Sequence, residues 1–153
     1  MADQDRADQL RSHAATYRAY LTAVVLHGQT AADTLGQSST DLYALNILQL
    51  AGPMTTGALA ERTGLTQSAT TRLVDRLERS GWARRNPDPA DRRRVLVEGV
   101  PPTREQDEAA FGEARRRMAE VFGAFSEAEL NVLFRYFAQA TTALTGYGVP
   151  SKT

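Results

Sequence analysis

At 153 residues the chain is long enough for one domain with its own core, or for a compact unit completed by a second copy. Its 18 basic and 18 acidic residues cancel, and the absence of cysteine excludes disulfides, thiolate metal sites and cysteine-based redox sensing. No apolar run approaches the length of a membrane span and the N-terminal MADQDRADQL is charged, so a soluble, cytoplasmic protein is expected.

The first predicted element is a long helix on which Leu10, Ala14, Tyr17, Leu21 and Val24 recur at steps of four and three, forming a seam along one face. The stretch ADTLGQSST then reads as a linker, with Thr40 as N-cap and Asp41 in the first turn of a second helix. Leu42, Leu45 and Leu48 make that helix nearly all apolar, which predicts burial, and Gly52-Pro53 stops it.

Residues 54–97 carry the densest signal. Thr55 or Thr56 caps a short helix in which Leu59 packs inward and Ala60 permits a close crossing. Gly64 supplies the left-handed turn, and Thr66 caps a second helix buried through Ala69, Leu73 and Leu77. The opposite face of that helix presents Gln67, Ser68, Thr71 and Arg72, with Asp75 and Arg76 beyond them. Short or forked polar side chains near a helix N-terminus suit base edges and phosphates. An ordinary solvated helix face is the plainer alternative, which the cap sequence and the Ala60–Gly64 spacing disfavour.

Gly81 ends the second helix, and a strand begins at Trp82-Ala83-Arg84-Arg85. The turn-rich tip Asn86-Pro87-Asp88-Pro89-Ala90-Asp91 precedes Arg92-Arg93-Arg94 and a β-branched return strand, Val95-Leu96-Val97. Two prolines stiffen the tip, and Asp91 is placed to brace one of the arginines. An arginine so presented suits a narrow minor groove. Two helices, a turn and a β-hairpin in this order are the layout of a winged helix-turn-helix.

Charge agrees with that layout. Between Arg62 and Arg94 there are nine arginines against Asp75, Glu78, Asp88 and Asp91, a local surplus of five, so the rest of this neutral chain carries the compensating negative charge. A basic lobe on an acidic body implies a polyanion partner at one place. Of the 18 basic residues only Lys152 is lysine, and arginine forks onto guanine edges and phosphates. A GC-rich genome would account for the global bias but not for the clustering.

Beyond Glu98-Gly99-Val100-Pro101-Pro102, Thr103 and Gln106 form a capping box for a helix reaching about Phe125. Ser126 and Glu129 form a second box, and the last helix aligns Leu130, Leu133, Phe134, Phe137 and Leu144. The terminal helices hold more apolar face than a small lobe covers, so a homodimer is expected. Function classes narrow accordingly. There is no Gly-rich phosphate loop, no G-x-S-x-G elbow and no cysteine, and the two histidines lie fourteen residues apart, so no enzyme is expected. No H-x-x-H or E-x-x-H pair supports a metal site, and no cofactor is expected.

The stretch LAERTGLTQSATTRLVDRLERSGWARRNPDPADRRRVLV resembles the core of the multiple-antibiotic-resistance regulator (MarR) family, with Asp91 and Arg93 on its D-x-R wing signature. The resemblance spans roughly residues 5–146 and implies a mainly α fold with a small β-wing. It implies a single domain over 1–146: dimerisation helices at 5–35 and 103–146, a winged lobe at 40–98, and a tail at 147–153. It further implies a homodimer on a pseudo-palindromic duplex, acting as a repressor that a small aromatic or anionic ligand relieves. DNA contacts are then expected from Thr66, Gln67, Ser68, Thr71, Arg72 and Arg76, and from Asp91, Arg92, Arg93 and Arg94, with Arg93 in the minor groove. His13, Tyr17, Tyr20 and Asn46 are the expected ligand contacts, in a cleft between the terminal helices and the lobe. The Pro101-Pro102 linker departs from the family's usual short Leu-Thr step. A winged-helix interaction module that binds no DNA is the competing reading.

Overall fold

The computed structural model describes residues 8–9 and 11–147, so Leu10, the first residues of the expected 5–35 helix and most of the 147–153 tail lie outside the described residues. The elements are α1 (Ala14–Thr34), α2 (Ser39–Ala51), α3 (Thr56–Thr63), α4 (Gln67–Arg79), β1 (Ala83–Pro87) and β2 (Val95–Gly99). Then follow α5 (Arg104–Asp107), a π-helical turn (Glu108–Gly112), α6 (Glu113–Gly123) and α7 (Glu127–Thr145). This is the mainly helical fold with a small wing that the sequence predicts.

Helix boundaries follow local chemistry. The Ser38 side chain, not that of Thr40, caps α2, accepting from the Asp41 N–H at 3.1 Å. Ser38 is the extended residue here and Thr40 already lies in the first helical turn. The linker is correspondingly shorter than expected, because α1 runs to Thr34. Thr55 caps α3, Thr66 caps α4, and Gly64 between them takes a left-handed φ of 71°, as the tight turn requires. The Thr103/Gln106 and Ser126/Glu129 capping boxes both form. The helix after Thr103 is interrupted, however. Its second turn widens to π geometry, where the Glu108 side chain lies over Gly112 in the space a Cβ would need.

The core sits where α2, α3, α4 and the wing base meet. Leu42, Leu45, Leu48, Leu59, Leu73, Val74, Leu77 and Val97 are buried there, with Trp82 closing one side. Val74 and Thr70 join Leu73 and Leu77 on the inward face of α4, while Ala69 is only half-buried. Thr70 is tolerated because its hydroxyl donates to the Thr66 carbonyl at 3.0 Å.

The wing is one antiparallel hairpin, registered from Ala83 opposite Gly99 to Pro87 opposite Val95. Met54 adds a one-residue bridge to Val97, with N–H to O distances of 3.1 and 2.8 Å, and so ties the α2–α3 connection to the wing. Gly99 lies against α2, and a Cβ there would sit 3.1 Å from Leu45 Cδ1 and Leu48 Cβ. Gly99→Val should therefore push β2 off α2 and cost about 1–3 kcal/mol, read as a lower thermal midpoint. An unchanged midpoint would mean that the strand is free to shift.

By contrast, α6 and α7 bury no residue in the single chain. Tyr17, Tyr20, Leu21, Val24, Val25 and Leu26 on α1 are exposed, as are Met118, Val121, Val132, Phe134, Tyr136 and Leu144 on α6 and α7. Within the chain, α1 and α7 meet through Tyr20 and Phe137, whose rings stack at 6.5 Å. At the far end of α7 the Tyr147 hydroxyl donates to the Arg62 carbonyl at 2.9 Å, and the Arg62 guanidinium lies 4.6 Å over the same ring.

Candidate nucleic-acid interface

Helix α4 is amphipathic, so burying Leu73, Val74 and Leu77 turns Gln67, Ser68, Thr71 and Arg72 outward. All four are exposed at or near the helix N-terminus, where unpaired backbone N–H groups also favour an anion. Local bonds order this face: Thr66 Oγ1 lies 3.3 Å from Ser68 Oγ, and the Thr71 hydroxyl donates to the Gln67 carbonyl at 2.9 Å. Arg72 makes no ion pair among the described residues, leaving its five donors outward.

The wing tip, residues 88–94, is held by its two aspartates. The Asp88 N–H donates to the Arg94 carbonyl at 3.0 Å, and the Asp88 carboxylate accepts from the Ala90 N–H at 2.8 Å. The Asp91 carboxylate accepts from the Arg93 N–H at 3.0 Å, while the Asp91 carbonyl accepts from the Arg94 N–H at 2.9 Å. The expected brace therefore exists but grips the main chain of Arg93, not its guanidinium. It is an Asx turn that aims the residue and leaves the side chain exposed. Arg92 is equally exposed, whereas Arg94 sits 4.0 Å from the Asp88 carboxylate.

Two of the nine arginines are held at hydrogen-bond distance by carboxylates of the lobe. Arg85 on β1 is only 28% exposed and reaches back to α4, with 2.6 Å to Asp75 Oδ1 and a second contact to Glu78. Burial alone would lower its pKa, but the hydrogen bonds to Asp75 and Glu78 outweigh that and hold it above the ordinary guanidinium value. Asp75, which the sequence leaves on the outer face of α4, is thus neutralised by the wing strand. Arg76 donates from Nε to Asp41 Oδ2 at 3.2 Å and from Nη2 to Asp41 Oδ1 at 2.7 Å, and this bidentate bond raises its pKa. Asp41, Asp75 and Glu78 are thus paired within the lobe, while Arg72, Arg84, Arg92 and Arg93 are exposed and in no ion pair among the described residues. Their unpaired positive charge is therefore gathered on the outer face of α4 and on the wing.

Three of the four expected ligand residues come together and the fourth does not. His13, Tyr17 and Tyr20 line a groove of about 390 Å³ between α1 and α7, with Leu133, Tyr136 and Phe137. Asn46 instead lines a separate cavity of about 600 Å³ where α2 meets the Pro101-Pro102 linker and α5. Leu42 and Leu45 form its floor, Phe111 of the π turn one wall, and Arg104 and Asp107 its polar edge. Asp107 is already paired with Arg115 at 2.7 Å, whereas Arg104 has no ion pair among the described residues. Sequence reasoning missed Arg104 and Phe111. The Thr103 box, which sets the first residue of α5 beside the linker, is the signal that points to Arg104.

No helix among the described residues is long and apolar enough to cross a membrane. Residues 35–94 match the model of the MarR family. Over 124 residues the chain is 37% identical to the uncharacterized HTH-type transcriptional regulator YcgE of Bacillus subtilis (strain 168), covering 81% of this chain and 80% of that protein. Among solved structures, a MarR family protein from Bacillus stearothermophilus superposes with a TM-score of 0.61 at 25% identity, over 88% of this chain and 96% of that one. A mutant MepR of S. aureus, bound to an oligodeoxyribonucleotide, has a TM-score of 0.56 at 16% identity over 86% of this chain and 97% of its own, a likeness of fold alone.

Proposed function

The chain belongs to the MarR family of transcriptional regulators, and on that premise we propose that it is a homodimeric, sequence-specific DNA-binding repressor released by a small ligand. The observation that carries the reading is the outward set of Arg72, Arg92 and Arg93 beside the polar N-terminal face of α4, with Asp75 and Glu78 of that helix paired to Arg85. Thr66, Gln67, Ser68, Thr71 and Arg72 address the major groove, Arg93 the minor groove, and Arg92 and Arg94 the phosphates, with Asp91 setting the turn. The oligodeoxyribonucleotide held by the MepR structure of the same fold supports DNA as the partner.

The exposed apolar side chains of α1, α6 and α7 support a dimer built from residues 5–35 and 103–146, with winged lobes at 40–98. Two lobes related by a two-fold suit half-sites about one helical turn, roughly 10 bp, apart. The effector enters the cavity between α2 and the Pro101-Pro102 linker, where Arg104 suits an anionic group and Phe111 an aromatic one. It releases DNA by favouring a lobe separation that misses the half-site spacing, a coupling of about 1–3 kcal/mol. The protein acts in the cytoplasm, where its operator is.

Selection from a random duplex pool by the purified protein tests the reading. Enrichment of a pseudo-palindromic site bound by two chains is the expected result. A stable dimer that enriches nothing would favour the protein-interaction module instead.

A further inference from the structure

We propose that Arg76, although it lies on the DNA-facing helix, is a positioning residue: Asp41 holds its guanidinium so that α4 is fixed on α2, and Arg76 itself takes no phosphate. The inference rests on the DNA reading above. Asp41 is 4% exposed, and both of its carboxylate oxygens are occupied by Arg76, at 3.2 and 2.7 Å. Drawing the guanidinium out to a phosphate would strand a buried carboxylate, which is costly. The two-pronged bond fixes the plane of the guanidinium on the Asp41 carboxylate.

The position suits the role. Arg76 lies one turn beyond Arg72, between the buried Leu73 and Leu77, so its tether sets the rotation of the helix that aims Arg72 and Thr71. Asp75 and Glu78 on the same helix fasten it to the wing through Arg85. Helix α4 is therefore clamped on two sides, to α2 by Arg76 and to β1 by Arg85, and only the second clamp joins parts near each other in sequence.

The test uses the full chain, the duplex that the wild type selects and an unrelated duplex, with affinity measured across a range of salt. Arg76→Gln should weaken the selected duplex about tenfold, within the range of coupled network residues. The unrelated duplex and the slope of log K against log salt should stay as in the wild type. Asp41→Asn should weaken the selected duplex in the same way although it removes a negative charge. The double variant Asp41→Asn/Arg76→Gln, which strands no buried charge and guards against unfolding of the single variants, should lose no more than either alone.

A fall on both duplexes, with a slope smaller by about 0.9, would make Arg76 a phosphate contact and overturn the role. Tighter binding by Asp41→Asn, or full affinity in the double variant, would also overturn it. A wild type that enriches no duplex would overturn the DNA reading itself, which is distinguishable from either result.

Discussion

Glutamate at both Leu133 and Phe137 should abolish the dimer, leaving monomer with reduced helicity or aggregate in sedimentation at micromolar concentration. Both side chains are half-covered within one chain, where they share a groove with Tyr17 and Tyr20, and the helix that carries them buries nothing fully. Exposed Phe134 and Tyr136 lie beside them. Completing their burial in two copies contributes roughly 3–6 kcal/mol, taking about half the full value for each side chain. The substitution removes that and adds carboxylates that must be desolvated for the faces to close. A wild type that sediments as a stable, folded monomer would remove the basis of this prediction.

Arg93→Ala should have the largest effect on DNA, lowering affinity by about 1–3 kcal/mol and flattening any preference for A·T-rich flanks. The Asx turn presents Arg93 at the tip with its side chain exposed, so nothing in the fold depends on it and the thermal midpoint should hold. Asp91→Ala should resemble a milder loss of Arg93, because the carboxylate aims the main chain that carries the guanidinium. Simple electrostatics predicts the opposite sign, since Asp91 repels DNA. Tighter binding by Asp91→Ala would therefore defeat the orientation argument. Arg92→Ala should instead weaken all duplexes alike and reduce the salt slope by about 0.9.

The parts of this architecture that were legible in sequence are those decided within a few residues. Thr66, Thr103 and Ser126 cap because each meets a backbone N–H three residues on, and Gly64 turns because no Cβ opposes a left-handed φ. Where two nearby residues competed, as Ser38 and Thr40 did, the backbone conformation of the connection decided, and that depends on where α1 ends. The wing arginines and Asp91 beside them were visible in sequence, but the partners of Arg76 and Arg85 were not. Asp41 and Arg76 are 35 residues apart, and only the packing of α2 on α4 brings them together. Asn46 was expected in one cleft with His13, Tyr17 and Tyr20, yet α2 places it against the linker. The π turn at Glu108–Gly112 was not legible, because helical periodicity does not encode a local widening of the helix.

The most direct test of DNA reading is the affinity of the wild-type protein for its selected duplex and for a scrambled one, measured between about 50 and 200 mM salt. With Arg72, Arg92 and Arg93 unpaired on each lobe of the proposed dimer, affinity for both duplexes should fall by about a thousandfold or more across that range, while the selected duplex stays preferred throughout. Binding that ignores salt, or that treats the two duplexes alike at every concentration, would contradict a wing and helix built to read DNA.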